Sequence, residues 1–242
     1  MSSILITGAS SGIGRAVAEL FLAEGWVVGL LARRADHLQQ IAEGQRRAIV
    51  LQADVTRPAE VEAAFQHFTA EAGQIDVLFN NAGIFTASGL IDEIALEDWY
   101  ASVDVNLSGM FLAARAAFAQ MRAQGGGRII NNGSIAAHVP RPQSTPYAVT
   151  KAAITGLTKS LSLDGREFNI ACSQIDIGNA RTPMVEDLIA RARAVDPDAP
   201  VMESFAVEDA ARSVLHMANL PLEANVQFMT VMATKMPYIG RG

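Results

Sequence analysis

The sequence is poor in the residues that build disulfides, metal sites and membrane spans. It contains one cysteine, Cys172, which excludes an internal disulfide and a multi-thiolate metal site, and we interpret this residue as a small core side chain. The four histidines are scattered without metal-ligand spacing, and we interpret His138 as a loop residue. The longest apolar run, Trp26–Ala32, is far shorter than the ~20 residues of a membrane-spanning helix.

Basic residues are also scarce. The chain has 19 lysines and arginines against 25 aspartates and glutamates, a formal net charge of -6, and no basic run. This balance disfavours nucleic acid as a partner, because binding to a phosphate backbone depends on positive charge. No basic leader or cleavage pattern precedes the first apolar run, so the sequence predicts a cytoplasmic protein without a membrane partner.

What the chain does have is a regular alternation of short apolar runs and longer helical patterns. Hydrophobic residues make up 50% of its 242 residues, enough for one domain with a large core. The alternation is typical of βαβ units and predicts an α/β fold, a Rossmann-type doubly wound parallel sheet with helices on both faces. The seven predicted strands are Ser3–Thr7, Val27–Leu31, Ala48–Gln52, Val77–Asn80, Gly127–Asn131, Ile170–Ile175 and Val226–Val231. The predicted helices include Gly12–Ala23, Ala59–Glu71, Leu96–Met121 and Thr145–Leu163.

One segment breaks this rhythm. Residues 182–205 contain Pro183, Pro197 and Pro200 around a short helical pattern. Doubly wound folds bind their ligands at the carboxyl ends of the strands, and an irregular insertion at that edge is well placed to cover them. We therefore predict a single domain over residues 1–242, with a substrate lid inserted at about 182–205.

A glycine-rich turn joins the first predicted strand to the first predicted helix, with the sequence Thr7-Gly8-Ala9-Ser10-Ser11-Gly12-Ile13-Gly14. Glycines allow a tight turn and let backbone N–H groups approach a pyrophosphate, to which the helix N-terminus adds further donors. The spacing is GxxxGxG rather than the GxGxxG of many dinucleotide-binding turns. The turn, with its strand before and helix after, predicts a dinucleotide site.

This turn and several later motifs resemble the short-chain dehydrogenase/reductase family over nearly the whole chain. The segment Asn80-Asn81-Ala82-Gly83 is identical to the family's motif after the fourth strand. Tyr147-xxx-Lys151 matches its YxxxK motif, with Ser134 thirteen residues before the tyrosine. The resemblance implies a catalytic set of Asn106, Ser134, Tyr147 and Lys151.

The resemblance also implies where the cofactor lies. Asp54 and Val55 match the family's adenine-contacting pair, and Thr182 matches the threonine that faces the carboxamide. The family's proline before Gly178 is replaced by Ile177, which predicts a differently shaped turn beneath the nicotinamide. The residues implied to bind the cofactor are Gly8, Ser10, Ser11, Gly12, Ile13, Gly14, Arg33, Arg34, Asp54, Val55, Asn81, Ala82, Gly83, Tyr147, Lys151 and Thr182.

The catalytic set suits the transfer of a hydride and a proton between a nicotinamide and a carbonyl group. Tyr147 and Lys151 lie four residues apart on one predicted helix, so they share a face, and the cation is expected to lower the pKa of the phenol. Ser134 is expected to bind the substrate oxygen, and Asn106, by family resemblance, a water on the proton path. The sequence thus predicts an oxidoreductase for a ketone or secondary alcohol, with Tyr147 as general acid or base.

Cofactor choice depends on the end of the second predicted strand. An acidic residue there selects NAD by binding the ribose 2′-hydroxyl, whereas an arginine accommodates the 2′-phosphate of NADP. Here Ala32 is followed by Arg33 and Arg34, which predicts NADP(H). Asp36 is the competing acid, but a position in the first turn of the next helix favours a capping role.

Several functional alternatives stay open at the level of sequence. One is a reductase specific for 3-oxoacyl thioesters, and a polyol or a cyclic ketone is an equally open substrate. A non-catalytic dinucleotide-binding sensor is disfavoured because both Tyr147 and Lys151 are present. A sugar-nucleotide epimerase or dehydratase is disfavoured because such proteins resemble a longer branch that carries its own substrate domain.

The resemblance further implies a homotetramer or homodimer, assembled through the long helices and the last strand. The tail Thr234–Gly242 contains Met236, Pro237, Tyr238 and Ile239 without a helical or strand period. We expect this apolar tail to dock on a neighbouring copy, since an exposed apolar end is unfavourable in water.

Overall fold

The computed structural model describes residues 2–86, 88–198 and 202–239, and a parallel sheet forms its centre. The strands, in chain order, are β1 (Ser3–Thr7), β2 (Val27–Ala32), β3 (Ala48–Gln52), β4 (Val77–Asn80), β5 (Gly127–Asn132), β6 (Ile170–Ile177) and β7 (Phe228–Val231). They pair in parallel in the order β3-β2-β1-β4-β5-β6-β7. The predicted doubly wound, seven-stranded α/β fold is therefore confirmed.

Helices cover both faces of this sheet. They are α1 (Gly12–Ala23), α2 (Ala35–Ala42), α3 (Pro58–Ala72), α4 (Leu96–Val103), α5 (Met110–Gln124), α6 (Thr145–Asp164), α7 (Pro183–Val195) and α8 (Val207–Ala218). The apolar sides of α1, α2 and α8 pack with one face of the sheet, and those of α3 and α5 with the other. Within the described ranges, no helix has the length and apolar character needed to cross a membrane.

The inner strands β1, β2, β4 and β5 are almost entirely buried, and the first three are mainly apolar on both faces, as expected for a parallel sheet between two helical layers. Cys172 lies in the core of β6, as predicted, and burial raises the pKa of its thiol to about 12. At the sheet edge, β7 is half-exposed and shorter than predicted. In contrast, β6 extends to Ile177, which pairs with Val231. An isoleucine allows this extension because, unlike the family's proline, it retains its backbone N–H.

The long predicted helix between β4 and β5 is continuous but not uniformly α-helical. Between α4 and α5, the segment Asp104–Gly109 forms a π-helix. Such π segments are rare and often lie at functional sites, because the wider turn re-aims side chains. This one contains Asn106 and places its side chain inside the protein.

Candidate active site

A cavity of about 300 Å³ lies at the carboxyl edge of the sheet, beside the point where the strand order reverses between β1 and β4. This is where doubly wound folds bind their ligands. The predicted cofactor residues that line it are Gly8, Ser10, Ser11, Gly12, Ile13, Arg33, Arg34, Asp54, Val55, Asn81, Ala82, Gly83, Tyr147, Lys151 and Thr182. Gly14 is the one member of the predicted set that does not line this cavity.

The glycine-rich turn after β1 depends on the backbone freedom of its glycines. Gly8 and Gly12 have φ angles of 68° and 55°, in the left-handed region that favours glycine. A Cβ at Gly12 would lie 3.4 Å from the Thr182 side chain, which also lines the cavity, so a larger side chain at Gly12 would narrow the cavity. A Cβ at Gly14 would overlap the carbonyl oxygen of Gly8, so this glycine allows close packing of α1 on the turn, and its role in cofactor binding stays a prediction.

Positive charge gathers at the end of the cavity beside β2. Arg34 donates hydrogen bonds from Nη2 to the hydroxyls of Ser10 and Ser11, at 3.0 and 3.2 Å. Burial alone would raise the pKa of Asp54, but hydrogen bonds from Thr56 and the nearby charge of Arg33 hold that pKa below its ordinary value. Asp36 does not line this cavity; it lies in the first turn of α2, as predicted, 3.8 Å from the His37 ring.

Hydrogen bonds among Thr7, Asn81 and Asn132 fix the middle of the cavity. The Thr7 hydroxyl accepts hydrogen bonds from the N–H groups of Asn81 and Ala82, at 2.8 and 2.9 Å. Asn132 Nδ2 donates to Asn81 Oδ1 at 2.8 Å, and this contact sets the orientation of the Asn132 side-chain amide. The Oδ1 atom of Asn132 is buried and has no hydrogen-bond partner in the described part of the chain. Since Asn132 lines the cavity, this oxygen is placed to accept a hydrogen bond from a bound molecule.

A second cavity, of about 110 Å³, adjoins the first. Tyr147 and Thr182 line both, whereas Ser134 lines only the second. Lys151 is 3% exposed and lines only the first, where its Nζ donates to the carbonyl oxygen of Asn132 at 2.7 Å. The structure thus brings Ser134, Tyr147 and Lys151 together where the two cavities meet.

Burial is the largest influence on the pKa of Tyr147. Burial raises the pKa of its phenol, a hydrogen bond with Ser134 and the charge of Arg141 oppose that rise, and Asp176 adds to it. The Lys151 Nζ lies 5.7 Å from the centre of the Tyr147 ring, and burial lowers the pKa of this lysine to about 8. The expectation that Lys151 lowers the tyrosine pKa stays a prediction, and burial is the largest influence on that pKa.

Asn106 is fully buried and borders neither cavity directly. Its Oδ1 accepts from the N–H of Ile84 at 2.7 Å, and its Nδ2 donates to the Ile84 carbonyl and the Thr150 hydroxyl. A Cβ at Gly83 would lie 3.4 Å from Asn106 Oδ1 and 3.7 Å from Lys151 Nζ, so the two groups approach the same point. The amide thus holds the segment after β4 against the helix that carries Lys151.

The sequence analysis missed Asp176, a carboxylate that is 1% exposed near the end of β6. Its Oδ1 accepts from the N–H of Ser134 at 2.9 Å and from Gln174 Nε2 at 2.7 Å. Its Oδ2 lies 2.9 Å from Nε2 of His138, which stands in a turn, as predicted for a loop residue. Asp176 therefore fixes the backbone from which Ser134 projects.

Gly133 is the residue that makes room for this carboxylate, because a Cβ there would overlap Asp176 Oδ1. We expect Gly133→Ala to destabilise the protein by about 1–3 kcal/mol, as overpacking in a rigid core does. The matched control is Gly156→Ala on α6, where a Cβ meets no atom within 4 Å, and a gain of about 0.5–1 kcal/mol is expected from helix propensity. Urea unfolding measures both, and equal stability of the two variants would contradict the packing argument.

The segment after β6 forms an arm over the second cavity. Its two ends are joined by hydrogen bonds between Arg181 and Phe205 and between Phe205 and Asn179, at 2.9 and 3.0 Å. Between them, α7 has no fully buried side chain among those described, and Met184, Val185 and Leu188 line the second cavity. Residues 199–201 of the predicted lid lie outside the described residues.

The C-terminal tail lies beside the second cavity. Met236, Pro237 and Tyr238 line the second cavity of their own chain. Ile239 is 88% exposed, and docking of the tail on a neighbouring copy stays a prediction. Residues 240–242 of the tail lie outside the described residues.

Comparisons with known proteins agree with this geometry. The family model for short chain dehydrogenase matches residues 2–193. An oxidoreductase of Staphylococcus saprophyticus is 32% identical over 227 residues, which cover 92% of each chain. The closed form of a serine dehydrogenase complexed with NADP+ is similar, with a TM-score of 0.89, 26% identity and coverage of 99% of this chain and 98% of that one. A Brucella melitensis 3-ketoacyl-(acyl-carrier-protein) reductase complexed with NADH, 24% identical over 96% of both chains, shares the fold with a TM-score of 0.86. The chain therefore belongs to the short-chain dehydrogenase family of oxidoreductases and has the nucleotide-binding fold of that family.

Proposed function

We propose that the protein transfers a hydride between NADP(H) and a ketone or secondary alcohol. The observation that supports this most is the meeting of Ser134, Tyr147 and Lys151 where a long cavity suited to a dinucleotide joins a smaller one. A nicotinamide, when bound, supplies the hydride. A non-catalytic dinucleotide sensor would not need the hydroxyls of Ser134 and Tyr147 where the two cavities meet, so their presence there disfavours a sensor.

Within this proposal, each residue of the catalytic set has a distinct role. The Tyr147 hydroxyl gives its proton to the oxygen of a reduced carbonyl, or takes the proton of an alcohol that is oxidised. Ser134 binds the same oxygen and stabilises the negative charge that develops on it. Lys151 holds the cofactor ribose from within the first cavity, and Asn106 positions the segment next to it.

The test of the proposal is a panel of ketones and secondary alcohols offered with NADPH, NADH, NADP+ and NAD+. Oxidation or reduction of the nicotinamide is followed by its absorbance. Turnover of at least one ketone–alcohol pair with the phosphorylated cofactor supports the proposal. Tight binding of the cofactor without turnover of any compound in a broad panel would favour the sensor.

We propose that residues 182–205 act as a lid. The bridge between Ala180 and Phe205 gives the arm a fixed base, while α7 has little buried surface to hold it down. In the cofactor-free protein, we expect this arm to exchange its amide hydrogens faster than the sheet, and to slow when cofactor and substrate bind. Hydrogen exchange with mass spectrometry measures this, and protection equal to that of β4 or β5 without ligand would argue against a lid.

We also propose that the protein assembles as a homotetramer or homodimer in the cytoplasm. Large apolar side chains are exposed on α5, α6 and β7: Phe111 is 51% exposed, Leu163 59% and Phe228 42%. Such exposure on neighbouring elements is typical of surfaces that bind another copy. Light scattering at micromolar concentration is expected to give a dimer or tetramer, and a monomer would refute the assembly.

A further inference from the structure

A buried carboxylate lies behind the turn that carries Ser134. Asp176 is 1% exposed, and its Oδ1 accepts hydrogen bonds from the N–H of Ser134 at 2.9 Å and from Gln174 Nε2 at 2.7 Å. Its Oδ2 lies 2.9 Å from Nε2 of His138. Burial of a charged group is costly in free energy, and the cost is offset only where its partners are held in place. The three nitrogen atoms around Asp176 meet this condition.

The contact between Asp176 and Ser134 is made to the backbone and does not involve the serine hydroxyl. The Ser134 Oγ accepts instead from the N–H of Ala136 at 3.1 Å, and Ser134 lines the second cavity. Separate contacts therefore fix the main chain and the side chain of this residue. Such fixation matters for a hydroxyl that binds a reacting oxygen, because a misplacement of about 1 Å in a catalytic group can cost about 10²-fold in rate.

The carboxylate takes over the pairing of β5 with β6 at the point where β5 ends. The N–H of Gly133 donates to the carbonyl oxygen of Ile175 at 2.9 Å, as in the sheet. The next N–H along the chain, that of Ser134, is bound by the side chain of Asp176 instead. A Cβ at Gly133 would overlap Asp176 Oδ1, so the glycine is what admits the carboxylate. Asp176 thus extends the attachment to β6 by one residue, onto the turn that carries the hydroxyl.

The same carboxylate is connected to α6, the helix that carries the proposed proton donor. Gln174, which is fully buried, donates from Nε2 to Asp176 Oδ1 and also to the hydroxyl of Thr155 at 3.1 Å. Its Oε1 accepts from the hydroxyl of Thr158 at 3.1 Å. Both threonines belong to α6. Side chains of β6 therefore hold both the Ser134 turn and α6, which fixes the two hydroxyl-bearing elements of the site relative to one strand.

We infer that Asp176 is a positioning residue of the proposed reaction, which holds the backbone of Ser134 so that its hydroxyl meets the substrate oxygen. This inference rests on the proposed oxidoreductase function and adds a residue to it. Asp176 lines neither cavity, so it acts through Ser134 and not by contact with substrate or cofactor. Its effect on the rate is then bounded by the loss of the Ser134 hydroxyl itself, which as a donor to developing charge is about 10²–10³-fold.

A double-mutant cycle tests this dependence on Ser134. Asp176→Ala should lower kcat for ketone reduction by about 10–10²-fold, with KM and the dissociation constant of NADP+ within about threefold of wild type. In a Ser134→Ala background, which has no hydroxyl to position, the same change should alter kcat by less than about threefold. Asp176→Asn keeps an oxygen that accepts from the Ser134 N–H, so it should recover most of the loss.

The matched control is Asp76→Ala at the opposite edge of the sheet. Asp76 directly precedes β4, and its Oδ2 accepts from the N–H of Ser3 at 2.7 Å, so this carboxylate also holds the backbone of a neighbouring strand. Urea unfolding should show lower stability for both alanine variants. Only Asp176→Ala should lower kcat, measured at a temperature where each variant is folded, which separates positioning from a general loss of stability.

A variant nearer the surface keeps the inference testable if Asp176→Ala does not fold. His138 is 45% exposed in its side chain, and His138→Ala removes the contact at Asp176 Oδ2. It should lower kcat by about 3–10-fold, the scale of one hydrogen bond, and this loss should disappear in the Ser134→Ala background.

Two results would overturn the inference. One is a kcat of Asp176→Ala, or of His138→Ala where the former does not fold, equal to that of wild type. The other is a loss of the same size with and without the Ser134 hydroxyl. In both cases the oxidoreductase function still stands, whereas no turnover by the wild type with any ketone or alcohol in either direction overturns both.

Discussion

Replacement of Tyr147 by phenylalanine is expected to lower kcat by about 10²–10⁴-fold, the scale of a lost general acid. The change removes one hydroxyl and leaves the ring, which lies 5.2 Å from the ring of Phe85, in place. The dissociation constant of the cofactor should stay within about threefold of wild type, because Lys151 and the glycine-rich turn are untouched. Pre-steady-state measurement of hydride transfer, with cofactor binding followed by fluorescence, separates the two effects.

A loss of this size could also follow from a disturbed fold, so a matched control is needed. Tyr100→Phe removes a hydroxyl from a residue that is 59% exposed on α4, and it should leave kcat unchanged. Turnover of the Tyr147→Phe variant close to that of wild type would remove Tyr147 from the mechanism. Weakened cofactor binding with unchanged hydride transfer would instead assign the residue to the cofactor site.

The pKa of Tyr147 gives the same hypothesis a pH dependence. Because burial raises this pKa, the phenol stays protonated at neutral pH and is ready to donate its proton to a reduced carbonyl. Alcohol oxidation needs the deprotonated form, so its rate should rise with pH through the alkaline range, while reduction should not. The pH profile of kcat/KM for oxidation should lose this rise in Tyr147→Phe, and a rise that persists would point to another base.

The fold could be predicted from the sequence because the order of apolar runs, helical patterns and turn residues all indicated the same α/β arrangement. Apolar runs without alternation predicted strands covered on both faces, and the glycine-rich turn located the cofactor edge. Gly14 shows what a motif does not reveal, because a glycine of such a turn can allow close backbone packing as well as ligand binding. Boundaries were less predictable: β6 continues to Ile177 because its partner strand β7 lies beside it, a fact that only the tertiary structure shows.

The parts of the site that escaped prediction depend on contacts distant in sequence. Asp176 lies 42 residues from Ser134 and 38 from His138, so no local spacing links them. One signal was present: an aspartate between Ile175 and Ile177, in a strand expected to be buried, must find partners or carry a large cost in free energy. The raised pKa of Tyr147 was equally hidden, since the spacing to Lys151 predicts a shared helix face but not the degree of burial.

Selection of NADP over NAD is the second large effect we expect. Arg33 and Arg34 both line the cavity beside Ala32, and the Arg34 guanidinium already contacts the hydroxyls of Ser10 and Ser11. A 2′-phosphate at this end would receive charge-assisted hydrogen bonds worth roughly 1.5–3 kcal/mol each, so one or two favour NADP by about 10–10⁴-fold. The competing acid, Asp36, is 74% exposed in its side chain and outside the cavity.

Single and double variants divide this selectivity between the two arginines. Arg33→Ala and Arg34→Ala should each weaken NADP+ binding by about 10-fold or more, and the double variant by about 10²–10³-fold, with NAD+ binding nearly unchanged. The matched control is Arg15→Ala, which removes a cation paired with Glu19 on the exposed side of α1. Dissociation constants for both cofactors, measured by calorimetry, give the comparison.

The opposite change tests the same site by gain of function. Ala32 is 8% exposed at the end of β2, and Ala32→Asp places a carboxylate at the position from which NAD-selective proteins bind the ribose 2′-hydroxyl. It should repel the 2′-phosphate and reverse the preference. A salt series distinguishes an electrostatic preference from a steric one. Raising the ionic strength should reduce the preference of the wild type for NADP, because salt screens the attraction between the arginines and the 2′-phosphate at a solvent-exposed site. Equal use of both cofactors by the wild type would show that these arginines do not select the 2′-phosphate. So would a double arginine variant that binds NADP+ and NAD+ more weakly by the same factor.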